Sequence, residues 1–304
     1  MIRIGILGLG GVGGYFGGLL AKAYFKSDEV EIIFIARGET QKAIAENGLK
    51  IINDTTEMIV YPKLVSNNPA EIGELDYLIC ATKTYDIKES LTSVKNCIVA
   101  KTVILPLYNG VDAPERIRKI FPENDILQGC VYIISMIFSP GTIRKIGFYE
   151  KLFFGSKKTS DSRLTELQTI FEKAKIESYL VENIEETVWE KFIFISALAS
   201  ATSYLNQNIG EILNSKESKK VYVTLLHEID AVAKAKGLQL PQDIVKQTIV
   251  KLEKSPKEAT SSMHRDLTAG NKTEVMSLTQ FIVKEGLKYK VKTPLYEKIA
   301  NALV

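Results

Sequence analysis

The residues best placed to do chemistry stand near the start of the chain. Gly8-Leu9-Gly10-Gly11-Val12-Gly13 follows an apolar run at residues 3–7 and precedes a helix-like segment at residues 14–26. In a strand–turn–helix unit, the first glycine of G-x-G-x-x-G permits a tight turn. The second lets a pyrophosphate approach the backbone, and the third lets helix and strand pack closely. The helix start then offers unpaired N–H groups and the positive end of the peptide dipoles to phosphate. The bland alternative is a turn that is merely tight, but the position right after the first strand favours a dinucleotide site. The next strand-like run ends Phe34-Ile35-Ala36-Arg37-Gly38. NAD binders place Asp or Glu there, for the ribose 2′-hydroxyl. Arg37 holds that place here, and a guanidinium suits a 2′-phosphate. The pattern therefore predicts NADP(H) over NAD(H), against a reading of Arg37 as a solvated surface residue. Glu39 lies beyond the strand.

Further candidates follow the later strands. In open α/β sheets, ligands bind beyond the carboxyl ends of the strands. Lys83 and Asn109 follow the strand-like runs at residues 76–81 and 102–107, although either could be an ordinary loop residue. Lys191, in Trp189-Glu190-Lys191, opens an apolar helix. It is either a lysine snorkelling to water or, if desolvated, a general acid. Glu274 starts a helix-like segment, where a carboxylate also suits the helix dipole. Ser261-Ser262-Met263-His264-Arg265-Asp266 reads as loop or cap, with His264 expected at the surface rather than serving as an acid/base. Only two histidines and three cysteines, Cys80, Cys97 and Cys130, are present, without metal-ligand spacing. No metal site is expected, and the cysteines read as reduced thiols of a cytoplasmic protein.

These residues need elements to position them. The chain has 304 residues, 45% hydrophobic and 25% charged, enough apolar material for two domains rather than a disordered chain. A net charge of +3 is too even to predict a nucleic-acid partner. The longest apolar run, residues 192–201, is too short to span a bilayer, and no signal peptide is read at the start. In the first half, strand-like and helix-like segments alternate, which argues for a parallel sheet covered by helices. Residues 48–53 and 58–65 suggest a hairpin across Asp54-Thr55-Thr56. Residues 143–145 and 149–155 read as antiparallel strands after the Pro140-Gly141 turn. A helix at 162–174 and a strand at 178–181 close this half. Beyond about residue 184 the pattern is helical: 187–204, 216–236 with Gly237 as a stop, one opened by Pro241, 272–289, and a last one capped by Thr293-Pro294. No Gly/Ser-rich linker separates the halves, which predicts a broad interface and a cleft. The amphipathic helices near the end suit either a homodimer interface or internal packing.

Taken in order, these signals form one picture. Gly8-x-Gly10-x-x-Gly13, Arg37, Lys83-Thr84-Tyr85-Asp86, Asn109-Gly110, Trp189-x-Lys191, Ser261-Ser262-Met263-x-x-Asp266 and Thr273-Glu274 span essentially the whole chain. The sequence resembles the ketopantoate reductase (2-dehydropantoate 2-reductase) family. The resemblance implies an α/β fold with a Rossmann-type domain at residues 1–183 and an all-α domain of the hydroxyacid-dehydrogenase kind at residues 184–304. It implies NADPH and reduction of 2-dehydropantoate to (R)-pantoate, on the route to pantothenate and coenzyme A. Lys191 then matches the proton-donating lysine. Glu274 matches a glutamate that closes on the bound ligands, and Ser262 a substrate-binding serine. Asn109 and Lys83 match residues that contact cofactor or substrate, and Ser135 falls near a further cofactor contact. Leu9, Gly11 and Val12 complete the cofactor-binding turn.

The chain also departs from the pattern. Ile195, Ala199 and Ile209 stand where better-known members carry asparagines. Each lost hydrogen bond is worth about 0.5–1.5 kcal/mol. Ser196, Ser200 or Thr202 are candidates to compensate. Two alternatives stay open: a reductase of a different, less polar 2-oxo acid, and a non-catalytic NADP(H) sensor.

Overall fold

Alternation along four apolar strands builds two cores at once. β1 (Ile2–Leu7), α1 (Gly11–Tyr24), β2 (Val30–Ile35), α2 (Gly38–Asn47), β3 (Leu49–Asn53), β4 (Thr56–Val60), β5 (Leu64–Ser66), α3 (Pro69–Ile72), β6 (Leu75–Cys80), α4 (Ile87–Ser93) and β7 (Ile98–Pro106) follow in chain order in a computed structural model. It describes residues 1–54, 56–156 and 159–303. The strands β5-β2-β1-β6-β7 form a parallel sheet. Ile4, Ile6, Ile32, Phe34, Tyr77 and Ile79 point into one core, while Leu7, Ile33, Ile35, Leu78 and Cys80 point into the other. Both faces are covered, which is why these strands read as unbroken apolar runs. The chain winds outward from β1 through β2 to β5, then crosses back to β6 on the other side of β1. That reversal is the switch point where such sheets hold ligands.

The same unit continues through α5 (Ala113–Arg118), β8 (Gln128–Ser139), β9 (Thr142–Gly155), α6 (Asp161–Lys173) and β10 (Ser178–Leu180). A second sheet runs β10-β9-β3-β4, with β8 antiparallel to β9. α1 touches both sheets through its glycines. A Cβ on Gly17 would stand 3.0 Å from Ile6, and one on Gly18 only 2.3 Å from Ile51.

Several expected elements differ in detail. The run at residues 58–65 splits between the two sheets, β4 pairing with β3 and β5 with β2. Pro62, which lacks an N–H, lies between them. Thr55 of the expected hairpin turn lies outside the described residues. The two short strands after Pro140-Gly141 are one strand, β9, whose register with β8 skips Gly147, Phe148 and Tyr149. Gly147 makes this possible at φ +73. Its long partner β8 was not foreseen.

Asn109–Asp112 group with a second unit that runs from Glu185 onward. Its elements are α7 (Ile184–Leu205), α8 (Ile209–Asn214), α9 (Lys216–Ala235), α10 (Ile244–Glu253), α11 (Ser262–Thr268), α12 (Phe281–Tyr289) and α13 (Pro294–Ala302). Trp189, Phe192 and Phe281 meet in its core. Glu228 of α9 accepts the N–H groups of Leu295 and Tyr296 at 2.9 and 3.0 Å, satisfying donors at the start of α13. The expected helix at 272–289 begins only at Val275 and passes through a π turn, Met276–Gln280, before α12. Ser196 of α7 donates to the Leu278 carbonyl in that turn at 2.5 Å and shares a hydrogen bond with the Tyr296 hydroxyl. Among the described residues, no helix is long and apolar enough to cross a membrane.

Candidate functional site

The candidate residues form two groups, one on each unit. On the first unit, the glycine turn joins β1 to α1. Gly8 adopts φ +93, and a Cβ there would stand 2.8 Å from the backbone nitrogen of Thr82. A Cβ on Gly13 would lie 2.0 Å from the Gly8 carbonyl oxygen. Gly10 is different. It is the N-cap of α1 with ordinary φ −76, and a Cβ there would meet nothing within 4 Å. Close packing requires Gly8 and Gly13, whereas open space borders Gly10, where a bound group needs to approach backbone. Ser135 of β8 lies over the first turn of α1, its carbonyl oxygen 2.4 Å from where a Gly11 Cβ would be. The Ser135 hydroxyl is buried with no hydrogen-bond partner. A bare backbone cradle and an orphaned hydroxyl beside it fit a dinucleotide phosphate.

Arg37 is the N-cap residue of α2, two residues beyond the end of β2. Its Nη1 lies 2.7 Å from Glu89 Oε1 on α4, an ion pair that sequence spacing does not show. Glu89 and nearby Asp86 favour the charged guanidinium and raise the Arg37 pKa further. Lys83 is half-buried and precedes the short 3₁₀ turn Thr84–Asp86, beyond the end of β6.

On the second unit, Lys191 stands in the apolar helix α7 and is only 8% exposed. Its ammonium donates to Asn109 Oδ1 at 3.1 Å. The segment carrying Asn109 is held beside α7 by several contacts. Val111 packs against the helical core, and the Ser277 hydroxyl donates to Asp112 Oδ2 at 3.4 Å. Gly110 adopts φ +125, with Ser277 close against it. Glu274 is buried and stands just before the helix rather than in its first turn. Its carbonyl accepts the N–H groups of Ser277 and Leu278. Lys191, Asn109 and the 274–278 segment are thereby linked through the Asn109–Asp112 loop. Asp112 and Ser277 carried no signal in the sequence.

α7 spacing sets what surrounds Lys191. Residues four apart share a helix face, so Ile195 and Ala199 continue the Lys191 stripe. The hydroxyls considered as compensation turn elsewhere. Ser196 bonds to Leu278 and Tyr296, Ser200 to Thr279, and Thr202 to Leu198 and Ser261, all in the buried core. Ser262 is the first residue of α11 and half-buried, next to the capping Ser261. His264 is buried rather than at the surface. Thr260 and Asn206 Oδ1 bond its two ring nitrogens at 2.6 and 2.8 Å, and burial lowers its pKa. Among the described residues, no group of His, Cys, Asp or Glu is arranged to hold a metal ion.

Residues 4–158 match the sequence profile of "Ketopantoate reductase PanE/ApbA", and residues 183–304 match "Ketopantoate reductase PanE/ApbA C terminal". The chain belongs to the ketopantoate reductase family. This ketopantoate reductase family member is 27% identical over 295 residues to the "uncharacterized oxidoreductase YkpB" of Bacillus subtilis (strain 168), covering 97% of this chain and 95% of that one. The crystal structure of 2-dehydropantoate 2-reductase from Porphyromonas gingivalis W83 is similar at 33% identity and TM-score 0.85, covering 99% of both chains. A ternary structure of D-mandelate dehydrogenase with NADH and anilino(oxo)acetate shares the fold at TM-score 0.87 and 22% identity, over 99% of this chain and 97% of that one. The family, the oxidoreductase class and the expected combination of parallel sheet and helical C-terminal region are thus established.

Proposed function

We propose that this protein is an NADPH-dependent reductase of a 2-oxo acid, converting 2-dehydropantoate to (R)-pantoate. The observation that carries the reading is Lys191: an ammonium buried on an apolar helix that donates to the side-chain amide oxygen of Asn109, Oδ1, at 3.1 Å. A ketone reduced at carbon develops negative charge on its oxygen, and a desolvated ammonium both stabilises that charge and donates the proton. The nicotinamide cofactor supplies the hydride. In this proposal residues 1–183 hold the cofactor, through Gly8, Leu9, Gly10, Gly11, Val12, Gly13, Arg37, Lys83 and Ser135. Residues 184–304 hold the substrate, with Ser262 bonding it. Asn109 fixes the lysine and orients substrate or cofactor, and Glu274 orients a ligand hydroxyl or the lysine. A cytoplasmic enzyme acting in pantothenate biosynthesis is the corresponding role.

One feature favours a second reading. Ile195 and Ala199 continue the Lys191 face of α7, and the nearby hydroxyls are committed to the core. A substrate beside Lys191 then meets hydrocarbon, which suits a 2-oxo acid with an apolar side chain. The test of both readings is Lys191→Ala. Turnover of the accepted 2-oxo acid should fall at least about 100-fold while the fluorescence-detected affinity for NADPH stays within about threefold. Near-normal turnover would remove Lys191 from the proton-donor role.

A further inference from the structure

The Arg37–Glu89 pair bears on cofactor choice. β2 and β6 flank β1, whose end carries the glycine turn. Arg37 follows β2, and Glu89 sits on the helix after β6. Their 2.7 Å contact therefore reaches across the sheet's switch point, from one flank of β1 to the other. Both side chains are exposed, 74% and 65%. Neither is buried as a structural ion pair, and both are accessible to a ligand. Asp86 lies three residues before Glu89, so the helix start carries a second carboxylate near the guanidinium.

The two charges make opposite demands on a ribose. Arg37 attracts a 2′-phosphate. A carboxylate repels that phosphate but accepts a hydrogen bond from a free 2′-hydroxyl, the task an acidic residue performs at the end of β2 in NAD binders. Here the acid comes from α4 instead. We propose that Glu89 is a second determinant of cofactor selectivity, accepting the 2′-hydroxyl of NADH and competing with the 2′-phosphate of NADPH for Arg37, so that the protein binds both cofactors. The proposal rests on the dinucleotide-binding reading of the first unit and needs no knowledge of the oxo acid.

The test is equilibrium binding to the full chain, wild type beside Glu89→Gln and Arg37→Ala. NADPH, NADH, adenosine 2′,5′-bisphosphate and 5′-AMP serve as probes. Glu89→Gln should tighten NADPH and adenosine 2′,5′-bisphosphate three- to tenfold, weaken NADH about threefold or more, and leave 5′-AMP within twofold. Arg37→Ala should weaken NADPH at least tenfold and change NADH less than threefold. The Glu89 effect should shrink as salt rises from 50 to 500 mM. An NADPH-to-NADH affinity ratio unchanged in Glu89→Gln would overturn the proposal and leave the pair a surface contact. Binding of neither dinucleotide by the wild type would overturn the dinucleotide reading itself, and this proposal with it.

Discussion

Replacing Gly10 with alanine should separate folding from cofactor binding. The backbone there is extended at φ −76 and ψ −166, which alanine adopts without strain, and the added methyl meets nothing within 4 Å. Alanine is a poorer N-cap than glycine, by some tenths of a kcal/mol or more. It also restricts the unfolded chain, which returns about 0.4–1 kcal/mol. The two nearly cancel, so stability should change by less than about 1 kcal/mol, or a few degrees in Tm. Binding should respond differently, because the methyl occupies space a pyrophosphate needs. Losing one backbone hydrogen bond to a charged group is worth about 1.5–3 kcal/mol, which corresponds to roughly 10- to 150-fold in Kd. Gly13→Ala is the control. Its Cβ would lie 2.0 Å from the Gly8 carbonyl oxygen, so backbone must shift, at a cost of about 1–3 kcal/mol or more. Urea unfolding without ligand and NADPH fluorescence titration measure the two effects. Wild-type NADPH affinity in Gly10→Ala, or destabilisation of that variant as large as in Gly13→Ala, would refute the assignment of the turn.

Other expectations follow from the second unit. Ile195→Asn should shift kcat/KM toward 2-dehydropantoate, relative to 2-oxo acids with hydrocarbon side chains, by about 2- to 10-fold, the worth of one hydrogen bond; a steady-state substrate panel measures this. Ser196→Ala leaves the buried Tyr296 hydroxyl and the Leu278 carbonyl each short of a partner, and urea midpoints should show a loss of about 1–3 kcal/mol. His264 contributes pH dependence. Burial lowers its folded pKa below the ordinary 6.5, so the unfolded chain takes the proton first as pH falls. Its stabilising contribution is full above pH 6.5 and declines as the pH falls from there to the folded value. Urea midpoints compared at pH 7.5 and 5 should show a loss that is smaller in His264→Asn.

What was legible in the sequence was mostly local. The strand–turn–helix geometry around the glycine turn and the place of Arg37 after β2 were readable because these elements lie within a few consecutive residues. The same holds for Pro294 in the first turn of α13 and for Gly237, at φ +90, just past α9. Lys191 was readable as a charge on an apolar helix, but its Asn109 partner was not, because 82 residues separate them. The features missed depend on tertiary pairing. β9 looked like two strands because its bulge hides the common register with β8. Ser196, Ser200 and Thr202 looked like free donors near Lys191, yet a shift of one residue around the helix turns each into the core. His264 lay in a polar run suggestive of surface, but Thr260 and Asn206 satisfy its ring inside the helical unit. Ser196 donates to the Leu278 carbonyl inside the π turn, and neither residue announces that pairing alone.

The central claim is the reduction of a 2-oxo acid by NADPH, and it is tested most directly by following NADPH absorbance after adding 2-dehydropantoate, with NADH in a parallel cuvette. Rapid NADPH oxidation, with slower oxidation of NADH, is the expected result, and it would show that Ile195 and Ala199 are tolerated beside Lys191. NADPH that binds, as fluorescence would show, but is oxidised by neither 2-dehydropantoate nor any 2-oxo acid with an apolar side chain would contradict the claim and leave a protein that holds the cofactor without turning it over.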